Sequence, residues 1–281
     1  MRKIFNVFSL IRIHNCLLAG AAVWIGGYLC HRELGNPLLL RTALALALVC
    51  GAGNAFNDYC DVEIDKINHP RRPISRGNAT RTEAMALFAV LNLLAIIFAA
   101  ASGISILAVS SIYISALLLY NLKLKQIPLV GNLIVALLGG GTFMIGGMVI
   151  CPDSIWQIPG PIIPAVFAFL FHLGREILKD IADQRGDKAI GYRILIDSLS
   201  LKSILGIITV IYVILIGLTL VPVFAGWFRY QFSIIVIALV DLPLIILLWD
   251  IWRSQSIERY NLIATYLKLL MIPGILAFIL G

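Results

Sequence analysis

Charge is what this chain has least of. Charged side chains make up 13% of its 281 residues, about half the share in a soluble domain. That scarcity excludes a soluble enzyme, a disordered chain and a nucleic-acid-binding module, despite a net charge of +7. The five cysteines, Cys16, Cys30, Cys50, Cys60 and Cys151, form no CxxC pair. Their spacing excludes a thiol zinc site, and they read as reduced packing residues. No low-complexity linker or appended polar domain interrupts the chain.

Apolar residues supply 60% of the sequence. A membrane helix needs about 20 of them in a row, so the length allows roughly eight to ten crossings. Nine apolar stretches stand out, near 10–31, 37–57, 82–101, 104–122, 128–150, 160–180, 203–225, 231–252 and 260–280. Arg12, His14 and Asn15 break the first stretch too early for a cleaved signal peptide, so it reads as a retained helix. The expected fold is all-α and integral to the membrane, with residues 1–281 as one polytopic domain. Of 22 Lys and Arg residues, 18 fall on one side of these stretches. The positive-inside rule makes that side cytoplasmic. It holds the N-terminus and the two long loops, 58–81 and 181–202, and an odd number of crossings puts the C-terminus outside.

Eight of the 15 acids fall in two short segments. Asn57, Asp61 and Asp65 recur at i, i+4, i+8. Glu176, Asp180, Asp183 and Asp187 recur at i, i+4, i+7, i+11. Each set shares one helix face. Adding 122 to positions 54, 58, 61 and 65 gives 176, 180, 183 and 187. The chain thus reads as two related four-helix halves plus a last helix, around a central cavity open to lipid. Carboxylates stacked at a helix C-terminus repel the helix dipole and one another. A divalent cation removes that repulsion. Oxygen donors suit Mg²⁺, which also takes phosphate oxygens, and the neighbouring Arg and Lys residues suit a diphosphate. Ordinary solvated helix ends are the plain alternative.

Asn57-Asp58-x-x-Asp61-x-x-x-Asp65 resembles the first signature of the UbiA superfamily of intramembrane prenyltransferases, and Asp183-x-x-x-Asp187 its second. The run from Asp65 through Arg72-Pro73 to Gly77, the segment Tyr120-Asn121-Leu122-Lys123 with Gly131-Asn132, and Arg12-Ile13-His14-Asn15 are similar to further stretches of that superfamily. The runs Ala52–Asn68 and Arg175–Asp187, with Asp241-Leu242-Pro243, most resemble its digeranylgeranylglyceryl phosphate synthases. Cys60 and Gln184-Arg185 depart from that group. The resemblance implies Mg²⁺-dependent transfer of a geranylgeranyl group from geranylgeranyl diphosphate to the free hydroxyl of geranylgeranylglyceryl phosphate, in ether-lipid synthesis.

On that reading Asn57, Asp61, Asp65, Asp183 and Asp187 hold metal and ionise the allylic donor. Arg72, Lys123 and Lys179 contact the diphosphate, and Asp58 and Asp180 occupy the outer part of the site. Tyr120 presents a ring to the cation, or stands as an interfacial tyrosine. Arg12, with Asn15 beside it, and Arg71, Arg76 and Arg193 are candidates for the acceptor phosphate. His14 is a possible base but fits an interfacial residue better. Asp241, beside Pro243 in the eighth stretch, pairs within the bundle or satisfies backbone freed by the proline, and is left out of the site. The glycines at 139–141 and 146–147 read as close helix packing. The expected partners are a prenyl diphosphate, a phosphorylated glycerol lipid and the surrounding lipids, with no nucleic acid and no obligate protein partner. Two alternatives stay open: an aromatic acceptor, as in quinone synthesis with 4-hydroxybenzoate, and a membrane transporter built from repeats.

Overall fold

The computed structural model of the chain describes residues 2–31, 35–192, 194–253 and 256–281. Among them every regular element is helical. In chain order they are α1 (Arg2–Ile11), α2 (Ile13–His31), α3 (Pro37–Cys60), α4 (Val62–Asn68), α5 (Arg81–Ala100), α6 (Ile104–Leu122), α7 (Val130–Ile150), α8 (Ile162–Ala189), α9 (Leu201–Ala225), α10 (Tyr230–Val236), α11 (Leu242–Arg253) and α12 (Ile257–Leu280). A π-helical segment, Ile237–Asp241, joins α10 to α11.

Local chemistry sets the boundaries. Asn36 caps α3 by accepting from the Leu38 and Leu39 N–H groups, with Pro37 in its first turn, the position where a missing N–H costs least. Thr80 and Glu83 form a reciprocal capping box on α5,. Ser200 and Ser256 cap α9 and α12, and Gly226 ends α9 in the left-handed region,.

The first apolar stretch is not one helix. Arg12 adopts a φ of 49° and splits it into α1 and α2. Ile4, Phe5, Val7 and Phe8 are exposed on α1 while Leu10 is buried, the pattern of a helix lying at the membrane surface.

Eight of the expected stretches are long and apolar enough to cross a membrane: α2, α3, α5, α6, α7, α9, the run Tyr230–Arg253, and α12. The ninth, 160–180, falls in α8, which has a different character. It has 28 residues, about 42 Å of helix, but its second half carries the acids. The spans expose Val90, Ile97, Ile112, Val210, Ile246 and Leu269 outward. In lipid such an apolar outer surface costs nothing, so tight packing must hold the helices together instead.

That packing follows the repeat. Within each half the first helix packs on the second and the second on the third: α2, α3 and α5, then α7, α8 and α9. The halves meet where α2 lies against α7. A Cβ on Gly26 would stand 1.8 Å from the Phe143 carbonyl oxygen, and one on Gly146 1.8 Å from that of Val23. Only glycine lets the two backbones touch. Ile204, Leu205, Ile208, Tyr212, Leu244 and Ile263 build the core around α8 and α9. Phe143, Phe232 and Phe278 build a second core towards α12.

One cysteine expectation is overturned. Cys30 and Cys151 form a disulfide; Cys16, Cys50 and Cys60 are free. The pair lies 121 residues apart, nearly the repeat offset. Each cysteine sits at the far end of the first long helix of its half, and those two helices pack side by side. No local spacing rule could have found it.

Candidate active site

Both acidic clusters reach the same cavity, of about 560 Å³, enclosed by the two halves and α12. The chain gives each cluster a helical frame. Asn57 and Asp58 occupy the last turn of α3, Asp61 is the joint with α4, and Asp65 lies in α4. Glu176, Asp180, Asp183 and Asp187 descend one face of α8. α4 packs on α8 through Asn68, whose Nδ2 donates to the Asp183 carbonyl at 2.6 Å. Its Oδ1 accepts from the Gly186 N–H at 2.9 Å. A Cβ on Gly186 would lie 2.5 Å from that amide nitrogen. This clamp holds the two clusters face to face. Sequence reasoning missed Asn68, because it lies off the acidic stripe.

Every residue expected to hold metal, namely Asn57, Asp61, Asp65, Asp183 and Asp187, is on the cavity wall. Cations meet most of these carboxylates. Arg72 Nη1 donates to both Asp65 oxygens at 2.6 Å. Lys125 Nζ pairs with Asp61 Oδ1. Lys179 Nζ lies 3.0 Å from Asp183 Oδ2 and His69 Nε2 3.1 Å from Asp183 Oδ1. Asn57 donates to Asp61 Oδ2 at 2.7 Å and to Asn121 Oδ1 at 2.9 Å. Burial holds Asp65 above the usual carboxylate range despite Arg72, and burial with the nearby Asp183 pushes Asp187 up to about 6. Burial acts on Asp183 too, but Lys179 and His69 outweigh it and hold that carboxyl low,.

Four expected positions differ. Lys123 is exposed and off the cavity wall; Lys125, two residues on, lines the wall instead. Lys123 ends α6, and the short turn Leu124–Gln126 swings the next lysine inward. Asp58 is 2% exposed and lies behind the wall. It accepts from Arg12 Nη2 at 2.6 Å and Arg72 Nη1 at 3.4 Å, aiming both guanidiniums. Arg12 also donates to Asn54 and Asn57. Its left-handed elbow, not a continuous helix, turns it onto α3. Arg71 and Arg76 are exposed and off the wall, and Arg193 lies outside the described residues. Asp180 lines the cavity and accepts from Asn132 at 2.8 Å. Arg12 beside Asp58 and Asn132 beside Asp180 occupy nearly repeat-related places. Asn15 and Tyr120 are on the wall.

Asp241, the acid left out, accepts from Thr219 at 3.0 Å at the end of the π segment. It pairs within the bundle. The glycines at 139, 140, 146 and 147 meet His172, Ala165, Val23 and Pro161 at close range, so they serve packing.

Beyond the polar mouth the wall turns apolar, with Leu46, Val49, Leu117, Phe143, Phe167 and Phe278. Among the described residues no three His, Cys, Asp or Glu side chains converge on one point closely enough to hold an ion alone. The donors are all hard oxygens, on α3 and α4 to one side and α8 to the other, so a cation there would take further oxygens from a substrate,. The arrangement suits an amphiphile: a multiply charged head at the mouth and a long apolar tail inside.

The pattern of the UbiA prenyltransferase family matches residues 16–271. Digeranylgeranylglyceryl phosphate synthase of Saccharolobus solfataricus is 35% identical over 279 residues, covering 98% of this chain and 96% of that protein. The synthase of Methanopyrus kandleri is 32% identical, covering 96% and 97%. A solved structure from work on digeranylgeranylglyceryl phosphate synthase in membranes has 29% identity and a TM-score of 0.72, covering 100% of this chain and 99% of that one. A UbiA homologue from Archaeoglobus fulgidus, solved with GPP and Mg²⁺ bound, shares the fold at 15% identity, with a TM-score of 0.64 and coverage of 97% and 99%. A carboxylate-lined mouth over an apolar chamber, in a helical membrane fold matched along almost its whole length, makes this chain a member of the UbiA prenyltransferase family.

Proposed function

We propose that this prenyltransferase moves a geranylgeranyl group from geranylgeranyl diphosphate to the free glycerol hydroxyl of geranylgeranylglyceryl phosphate. The observation that carries the reading is the single cavity joining a mouth of paired carboxylates and cations to an apolar chamber. The extended similarity to digeranylgeranylglyceryl phosphate synthases supports the choice of acceptor.

In this reading Asn57, Asp61 and Asp65, with Asp183 and Asp187 opposite them, would hold Mg²⁺ together with oxygens of the donor's diphosphate. When bound, that ion neutralises charge building on the departing diphosphate. Arg72, Lys125 and Lys179 then turn to phosphate oxygens, where charge-assisted contacts are strongest as the C–O bond breaks. Asp58 keeps Arg12 and Arg72 aimed. The apolar chamber takes the tail and excludes water from the allylic cation, and Tyr120 offers it a ring face. The acceptor hydroxyl oxygen bonds to the allylic carbon and its proton leaves to the diphosphate. The products are the diether phosphate and diphosphate.

The same reading puts the mouth, the N-terminus and both long loops on the cytoplasmic side and the C-terminus outside, with residues 1–281 acting as one catalytic unit. The basic residues support this sidedness. So does the disulfide, which lies at the opposite ends of α2 and α7, where an oxidising compartment would favour it. The test uses purified protein in detergent with Mg²⁺ and geranylgeranyl diphosphate, offered geranylgeranylglyceryl phosphate or 4-hydroxybenzoate, with products identified by mass. The diether phosphate is expected. Product from the aromatic acid alone would reassign the acceptor.

A further inference from the structure

A second group of bases lies deeper in the cavity than the acidic mouth. Arg175 precedes Asp183 by eight residues on α8, about 12 Å along the helix. Its Nε donates to the Ala264 carbonyl at 3.2 Å, one turn before Lys268 on α12. Lys268 Nζ in turn touches His14 Nε2 on α2. Arg175, Lys268, Asn15, Asn261 and Thr265 all line the cavity, so three helices bring bases and neutral hydrogen-bonding groups to one patch.

The partners of these bases set them apart. At the mouth Arg12, Arg72, Lys125 and Lys179 each meet a carboxylate. In the deeper patch Arg175 pairs with Glu176. Among the described residues Lys268 and His14 have no carboxylate in ion-pairing contact; their close neighbour is another base. Lys268 is half-buried on the cavity wall while His14 is exposed and off it, so the ammonium reaches the cavity with no carboxylate of its own among the described residues. Neither group has a part in stabilising the diphosphate as described above.

We propose that Lys268, with Arg175, holds the phosphate monoester of the acceptor lipid. This inference rests on the proposed reaction, which brings a second phosphorylated molecule into one cavity. The donor's diphosphate occupies the mouth, and the acceptor's phosphate occupies the deeper patch. The glycerol hydroxyl then lies between them, towards the allylic carbon. The patch accounts for a phosphorylated acceptor where Arg71 and Arg76 do not reach.

The experiment measures steady-state kinetics and, separately, acceptor binding without donor. Lys268→Met is expected to raise KM for geranylgeranylglyceryl phosphate about tenfold or more, the usual effect of losing a charged hydrogen bond. KM for geranylgeranyl diphosphate stays within twofold. Lys268→Arg keeps most of the acceptor affinity. The wild type discriminates against dephosphorylated acceptor, and Lys268→Met loses that discrimination. If the wild type makes the diether product and Lys268→Met has an unchanged acceptor KM, the anchor is wrong and the reaction stands. A rise in donor KM instead would assign the patch to the diphosphate and overturn the anchor. If the wild type binds the phosphorylated acceptor through Lys268 but prenylates only 4-hydroxybenzoate, the reaction is wrong and the anchor stands.

Discussion

Removing the Asn68 clamp tests whether catalysis depends on the distance between the two acidic clusters. Asn68→Ala deletes two hydrogen bonds, at 2.6 Å to the Asp183 carbonyl and 2.9 Å from the Gly186 N–H. Both backbone groups belong to α8, whose own ladder can still use them, so no buried group is orphaned. Each bond is then worth about 1 kcal/mol net. Together they contribute about 2 kcal/mol to docking α4 on α8, or roughly 30-fold in an equilibrium. If the reaction needs the docked arrangement, kcat/KM falls by about that factor while the protein stays inserted. Gly186→Ala strikes the clamp from the other side, because its Cβ would stand 2.5 Å from the Asn68 amide nitrogen. In the double variant the methyl group has room, so the two losses do not add. The assay is the initial rate of prenyl transfer at subsaturating donor, with a melting curve on each variant. Asn68→Ala within twofold of wild type, or strictly additive losses, would refute the clamp.

Other predictions follow from the same geometry. Asp61→Ala and Asp183→Ala abolish turnover and still yield monodisperse protein in detergent; full activity in both would sink the proposed site. Chelator removes turnover and added Mg²⁺ restores it, whereas activity that persists in chelator excludes the metal-dependent reading. Lys125→Ala lowers kcat/KM by about 10- to 100-fold, the scale of a lost charged hydrogen bond, while Lys123→Ala stays within twofold; the reverse order would contradict their placement. Gly146→Ala forces α2 and α7 apart, at a cost of about 1–3 kcal/mol. It lowers Tm by several degrees, and an unchanged melting curve would show that the two backbones do not touch there.

Much of this was legible because helical periodicity and an internal repeat are linear signals. The stripes through Asp61 and Asp65, and through Asp183 and Asp187, needed only the 3.6-residue period. The 122-residue offset then paired them. The rest depended on turns and helix contacts, which periodicity does not encode. Lys123 and Lys125 look equivalent in sequence; a single short turn decides which enters the cavity. Asp58 fits the acidic stripe, yet the break at Arg12 turns a guanidinium onto it from another helix. Asn68, Asn121 and Lys268 belong to no stripe of like residues. Cys30 and Cys151 become neighbours only once α2 lies along α7. The apolar run 160–180 was legible too, but Glu176 and Asp180 already fall within it, so α8 lacks the uninterrupted apolar window of the other spans.

The pairing of carboxylates with cations at the mouth has a thermodynamic consequence. Without ligands its charges are largely balanced inside the protein, through Arg72 with Asp65, Lys125 with Asp61 and Lys179 with Asp183. A bare diphosphate would draw the cations away and leave the carboxylates to repel one another. A bare divalent ion would claim the carboxylates and strand the cations. Arriving together, the two would offer each side of these ion pairs a new partner. On the proposed reading the metal and the donor would therefore strengthen each other's binding by the same factor, as linkage requires. The affinity for the donor would then become a reading of how much magnesium is present.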